Sequence, residues 1–216
     1  MTTQTQSRPA SRAETVQKVT SPGGLQAWLV EDYAVPLVAF EFAFKGGSAQ
    51  DSPAKAGAAS MLSALLDEGA GPHDADAFHR AMDDKAVEIS FSAGRDSFNG
   101  RMKTLTRHLD AAAGLLRLAV CEPRLDEDAI ERVRSQMIAS LKREAKDPDA
   151  LAGKAWREAA FGTHPYAMPS RGDLDTIPAI TREDLLAMRK RLMARGNLKI
   201  AVVGAIDAAK IALLLD

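Results

Sequence analysis

Apolar and polar positions along the first part of the chain predict two β-strands. Residues 25–30 are rich in strand-forming residues and follow the turn sequence Ser21-Pro22-Gly23-Gly24. Residues 37–44 place three phenylalanines on one face and further apolar residues on the other, a pattern typical of a central strand. A short polar segment containing Pro36 separates the two runs, which predicts that they form a hairpin.

Helical spacing of apolar residues begins after Pro53 and returns through most of the chain. Residues 87–91 and 96–102 instead alternate around Ala93-Gly94-Arg95, which predicts an antiparallel pair. Helices are predicted at 53–68, 73–84, 105–120, 126–146, 149–161, 181–195 and 206–215, with a loop at 162–178 and a last strand at 198–203. This order predicts the α+β class, with helices packed on a mixed, mostly antiparallel β-sheet.

The ends of the sequence suggest how the chain is organised. Residues 1–18 are polar and lack the apolar core of a secretory signal, so we expect a disordered lead-in. Residues 19–216 are then expected to form a single domain. Because the sequence stops as a helix begins, without a polar tail, we also expect this domain to be cut from a longer, two-domain chain.

Composition narrows the classes of partner. A net charge of −1 with 26% charged residues provides no electrostatic reason to expect nucleic acid or anionic lipid as a partner. No apolar run approaches the roughly 20 residues that cross a bilayer, so no membrane span is predicted. The single cysteine, Cys121, excludes an internal disulfide and a four-cysteine zinc site.

The first predicted helix carries the sequence Gly57-Ala58-Ala59-Ser60-Met61-Leu62-Ser63-Ala64 and ends at Gly69. Further along are His164-Pro165-Tyr166, then Gly172, Ile177 and Thr181 to Leu185, and the strand from Lys199 to Gly204. In order and spacing these segments resemble the N-terminal half of pitrilysin-type metallopeptidases. This family includes insulinase, the mitochondrial processing peptidase and the core subunits of the respiratory cytochrome bc complex.

In the resembled family the helix has the form Gly-x-Ala-His-x-x-Glu-His, in which the histidines bind zinc and the glutamate acts as general base. Ser60, Ser63 and Ala64 stand at these three positions. The family's third ligand and the acidic residue seven positions before it correspond, within about one residue, to Ser140 and Val133. Because a hydroxyl is a poor zinc ligand and alanine has no donor, the resemblance implies an inactive chain without a cofactor.

Two other chemistries use residues near these positions. In the first, Glu144 serves as a displaced metal ligand. However, it lies among Lys142, Arg143 and Lys146, a pattern typical of a solvated charged face. In the second, Ser60 or Ser63 acts as a nucleophile with Asp67. This chemistry needs a histidine as base, and no histidine lies on the same face of the predicted helix. The four histidines, His73, His79, His108 and His164, are expected in surface or capping roles.

The resemblance implies a non-catalytic subunit that pairs with an active zinc-peptidase homologue and helps to form a peptide-binding chamber. Zinc is then expected only in that partner. An unfolded peptide would pair with a sheet edge. We expect the strand from Leu37 to Phe44 to supply this edge, through Leu37, Ala39, Glu41 and Ala43.

Two alternatives remain open. The chain would be a structural or assembly subunit without a role in proteolysis, like the respiratory core proteins, or an active metallopeptidase that uses an unrecognised site. The resemblance further suggests a bacterial protein of the periplasm.

Overall fold

The computed structural model describes residues 15–216, and a six-stranded sheet forms its centre. The strands are β1 (Gln17–Thr20), β2 (Gln26–Glu31), β3 (Leu37–Lys45), β4 (Glu88–Ala93), β5 (Ser97–Leu105) and β6 (Leu198–Gly204). Their order is β1-β2-β6-β3-β5-β4, and all neighbours are antiparallel except β2 and β6. The predicted α+β class with a mostly antiparallel sheet is confirmed.

Eight helices accompany this sheet in the described residues. They are α1 (Ala58–Ser63), α2 (Ala75–Asp83), α3 (Leu109–Cys121), α4 (Glu127–Glu144), α5 (Pro148–Phe161), α6 (Thr176–Ala179), α7 (Arg182–Leu192) and α8 (Ala208–Leu214). Within residues 15–216, none combines the length and apolarity that a membrane crossing requires. The predicted first helix is shorter than expected, because Pro53–Lys55 form a separate 3-10 turn and α1 ends at Ser63.

The core lies on one face of the sheet. In β3, Val38, Phe40, Phe42 and Phe44 are buried, because their side chains share the face that the helices cover. The other face of β3 is only half-buried or exposed. The prediction of a central strand is therefore confirmed by its position, but the expected burial of both faces is wrong.

The predicted hairpin between β2 and β3 is wrong. β6 lies between them, parallel to β2 and antiparallel to β3. The physical reason is a long-range pairing: Val202 of β6 faces Leu29 on one side and Phe40 on the other, so all three side chains enter the same core. The sequence around Pro36 cannot indicate this pairing, because β6 lies about 160 residues further along the chain.

The expected edge role of β3 is also wrong. β3 pairs with β5 along its whole length and with β6 from Val38 to Phe44, so Leu37, Ala39, Glu41 and Ala43 belong to an interior strand. The backbone groups of an interior strand are already hydrogen-bonded and cannot receive a peptide. The edges of the described sheet are β1 and β4.

The predicted lead-in at 1–18 lies largely outside the described residues. Its last part differs from the expectation, because Gln17 and Lys18 belong to β1 and pair with Leu29 and Trp28 of β2.

Candidate functional site

Helix α1, which carries the motif-like sequence, is short and deeply buried. Five of its six residues are buried, including Met61 and Leu62 at 0% exposure, and the helix packs against α7 and β4. Gly57 precedes it with φ of 96°, and a Cβ there would lie 2.6 Å from Ile177 Cδ1. A side chain at Gly57 would thus meet both backbone strain and a clash, which explains the glycine.

The buried carboxylate of Asp51 closes the N-terminal end of α1. Its Oδ2 accepts a hydrogen bond from the Gly57 N–H at 2.8 Å, and its Oδ1 accepts one from the Ala59 N–H at 3.1 Å. These are the amide groups that a helix start leaves unpaired. Burial raises the pKa of Asp51 to about 6, although the two amides and the nearby Arg191 act in the opposite direction.

Sequence reasoning missed Asp51, because its side chain reaches forward to Ala59 across a turn rather than capping at the usual distance. An acidic residue shortly before a helix start was the available signal.

The three motif positions on α1 lie in different environments. Ser60 is half-buried, and Ser63 is buried and donates its hydroxyl to the Ser60 carbonyl at 2.8 Å. Ala64, just after the helix, is exposed. The Ser63 hydroxyl is therefore engaged with the backbone, a common arrangement for serine inside a helix, and gives no support to a nucleophile.

The two later motif positions lie on α4. Val133 is buried in the core at 3% exposure. Ser140 is half-buried; it donates to Glu144 Oε1 at 3.2 Å and accepts from Arg171 Nη2 at 3.1 Å. Arg171 also forms an ion pair with Glu144. Glu144 is thus held by an arginine from a distant segment, and is not simply a member of the solvated face that its neighbours on α4 suggested.

Other arginines attach α4 to the surrounding segments. Arg132 pairs with Glu68, which follows α1. Arg134 donates to the carbonyl oxygens of Ile177 at 2.6 Å and Ile180 at 3.0 Å. These contacts hold α4 beside α6 and beside the segment that follows α1.

The residues at the positions that the sequence resemblance aligns with the zinc ligands do not fit zinc. Zinc requires imidazole, thiolate or carboxylate donors, and Ser60, Ala64 and Ser140 supply two hydroxyls and a methyl group. Over residues 15–216, no three histidine, cysteine, aspartate or glutamate side chains come together in a way that would hold a metal ion.

The histidines have local surroundings. His73 and His79 are half-buried near and on α2, and His108 accepts from Arg107 Nε at 3.1 Å. His164 Nδ1 accepts from the Tyr166 N–H at 3.2 Å, as a capping role predicts, and its ring meets Tyr166 edge-on at 4.7 Å.

Beyond the motif helices, the open face of the sheet has two shallow depressions that share Glu41 and Asn99. One reaches Trp28, which is 51% exposed, and the other reaches Ser90 and Ser92 of the edge strand β4.

Comparisons with known proteins find relatives along most of the chain, although the sequence matches none of the known protein-family profiles. It is 24% identical over 174 residues to the non-peptidase homolog YmxG of Helicobacter pylori, which covers 81% of this chain and 40% of that protein. It is 26% identical over 200 residues to an uncharacterized zinc protease of Mycobacterium leprae, covering 93% and 45%.

Solved structures with a similar fold are also found. The inactive domain of an M16 peptidase from Pseudomonas fluorescens superposes with a TM-score of 0.87 at 28% identity, covering 92% of this chain and 48% of that one. Pitrilysin superposes with a TM-score of 0.78 at 20% identity, covering 92% and 22%, and shows a common fold. The chain spans less than half the length of each of these relatives.

Proposed function

We propose that this chain, which has the fold of the pitrilysin family, is a non-catalytic subunit that pairs with an active, zinc-bearing homologue and helps to form the chamber that binds peptide. The observation that carries the proposal is a contrast at α1. The helix has buried packing, a glycine start and an Asp51 cap, while Ser60, Ser63 and Ala64 supply neither a zinc ligand nor a carboxylate base. Such a combination is expected where the shape of the domain is used and its chemistry is supplied by another subunit.

We further propose that an extended peptide pairs with β4. Among the described strands, β4 has one neighbour, β5, and its six residues make it longer than the other edge, β1. Helix α1 packs against β4, so this edge lies beside the degenerate motif. Pairing through backbone groups tolerates many peptide sequences, as a processing chamber requires.

A structural or assembly role is the second candidate, and exposed apolar side chains favour it. Trp28 and Val203 are 51% and 47% exposed on the open face of the sheet, while Leu151 and Trp156 are 51% and 64% exposed on α5. These exposed apolar side chains are available for contacts with other proteins.

Mixing experiments separate the two candidates. The purified chain and its zinc-bearing homologue are assayed alone and together, with an unfolded reporter peptide and with light scattering to measure the mass of any complex. We expect no cleavage by this chain alone and at least about a tenfold gain in kcat/KM on mixing, equivalent to about 1.4 kcal/mol. A stable complex without any change in cleavage would favour the assembly role; no complex at all would contradict both.

The β4 proposal has its own test in the same mixture. A reporter peptide with a photoreactive side chain is expected to cross-link to residues 88–93. Methylation of alternate peptide nitrogens in one register should abolish the cross-link, whereas methylation in the other register should preserve it, because antiparallel pairing uses alternate N–H groups. Cross-links on β1, or equal loss in both registers, would contradict pairing at β4.

A further inference from the structure

Arg171 lies in a segment whose backbone rests on the start of α1. A Cβ on Gly57 would come within 2.9 Å of the Arg171 carbonyl oxygen. The next residue, Gly172, has φ of 73°, and a Cβ there would lie 2.4 Å from the Ala56 carbonyl oxygen. The close approach of two backbones at paired glycines fixes where the Arg171 side chain begins.

The side chain of Arg171 extends from this position to α4. Its Nη2 donates to Ser140 Oγ at 3.1 Å, its Nη1 pairs with Glu144, and Ser140 donates to the same carboxylate at 3.2 Å. Three polar groups therefore form a closed set in which each contacts the other two. One of them, Ser140, is the residue that the sequence resemblance aligns, within about one residue, with the family's third zinc ligand.

We infer that Arg171 takes the place of the metal in joining the start of α1 to α4: its backbone lies against Gly57, and its guanidinium contacts Ser140 and Glu144 on α4. In an active site of this type, zinc connects the two helices by binding ligands from both. Here the connection is made by the polypeptide, through a backbone contact at Gly57 and a side-chain contact at Ser140. A guanidinium stays charged at any physiological pH and offers several donors, so it holds a hydroxyl and a carboxylate together without a metal.

This replacement also opposes metal binding. A fixed positive charge beside Ser140 repels a divalent cation, and it would pair with any carboxylate introduced there. Restoring the family's ligands alone should therefore give a poor zinc site. The inference concerns only this chain, and it stands or falls independently of any partner subunit.

The test restores the ligands in the presence and absence of the guanidinium. The starting variant carries Ser60→His, Ser63→Glu, Ala64→His and Ser140→Glu, and its zinc affinity is measured by competition with a chromophoric chelator. Adding Arg171→Leu should tighten binding at least about tenfold, the effect of removing one nearby positive charge at intermediate dielectric. The matched control adds Arg143→Leu, which removes the same charge near the same end of α4. It should change affinity by less than about twofold, because in the described structure Arg143 makes neither a hydrogen bond nor an ion pair with Ser140 or Glu144.

Equal affinities with and without Arg171→Leu would overturn the inference, as would equal gains from the two leucine variants. Failure of every variant to bind zinc would overturn it too, since Ser140 would then lie away from the third ligand position.

A second measurement needs no rebuilt site. Arg171→Leu in the natural background should speed amide exchange at residues 57–61 about two- to fivefold, by removing a polar bridge, while Arg143→Leu leaves it unchanged. Unchanged exchange in Arg171→Leu would contradict the bridging role.

Discussion

Helices α1 and α5 show opposite relations between length and burial. α1 has six residues, of which five are buried, whereas α5 has 14 residues and none is buried. A six-residue helix is too short to persist by itself, so α1 exists because the core and the Asp51 cap hold it. α5 instead depends on local sequence: Asp147 caps it, Pro148 opens it, and alanines fill it.

The difference shows where this chain keeps its structure. Helix α1, which carries the positions aligned with the family's motif, is held by burial of five of its six residues, although the motif's reactive side chains are absent. The longer helix presents Leu151 and Trp156 to solvent, where other proteins can contact them. Helix α1 therefore contributes to the core, whereas α5 contributes exposed surface.

Matched leucine truncations should give the largest contrast between the two helices. Leu62 on α1 is 0% exposed and Leu151 on α5 is 51% exposed. Leu62→Ala should lower the free energy of unfolding by about 3–5 kcal/mol, because it leaves a cavity that the core cannot close. Leu151→Ala should cost less than about 0.5 kcal/mol. Urea titrations of both variants measure the contrast, and similar losses would show that α5 is also held by packing.

The cap of α1 should make stability depend on pH. Burial raises the pKa of Asp51 from 3.8 to about 6. A carboxyl whose pKa is raised in the folded state contributes fully to stability below about pH 4. This contribution is lost as the pH rises through about 6. This shift of about two pKa units corresponds to a loss of roughly 3 kcal/mol at most in the free energy of unfolding.

Unfolding curves between pH 4 and pH 7 test this dependence. The natural protein should lose stability relative to Asp51→Asn as pH rises, because asparagine does not titrate. Parallel curves for the two proteins would mean that the Asp51 carboxyl is not penalised by its burial.

Glycine-to-alanine substitutions should act with opposite signs in the two helix regions. Gly57→Ala meets φ of 96° and a contact of 2.6 Å with Ile177, so it should destabilise by about 2 kcal/mol. Gly153→Ala lies inside α5, where the nearest atom to a Cβ is 3.4 Å away, and should stabilise by about 0.5–1 kcal/mol. Melting temperatures report both changes, and a gain for Gly57→Ala would refute the packing described at the start of α1.

Sequence reasoning recovered what local patterns carry. Strands β3 and β5, the long helix α4 and the framed helix near Gly57 were all predicted, because each has its own periodicity or glycine. The family resemblance added the degenerate positions, which single residues such as Ser60 could not reveal without that frame.

Long-range contacts could not be predicted. The place of β6 between β2 and β3 depends on pairing across about 160 residues, and without it β3 was mistaken for an edge. The contact of Arg171 with Ser140 joins residues 31 positions apart through a loop without periodicity. The cap by Asp51 skips the usual position. In each case the contact depends on the tertiary structure and not on residues that are neighbours in the sequence.

Zinc content measures directly whether this chain combines a pitrilysin-family fold with the absence of a metal site. The untagged chain is equilibrated with excess zinc, separated from free metal, and measured by elemental mass spectrometry. We expect zinc far below one ion per chain, since Ser60, Ala64 and Ser140 offer no adequate donors. Stoichiometric zinc that is lost when one of the four histidines is replaced by alanine would contradict it.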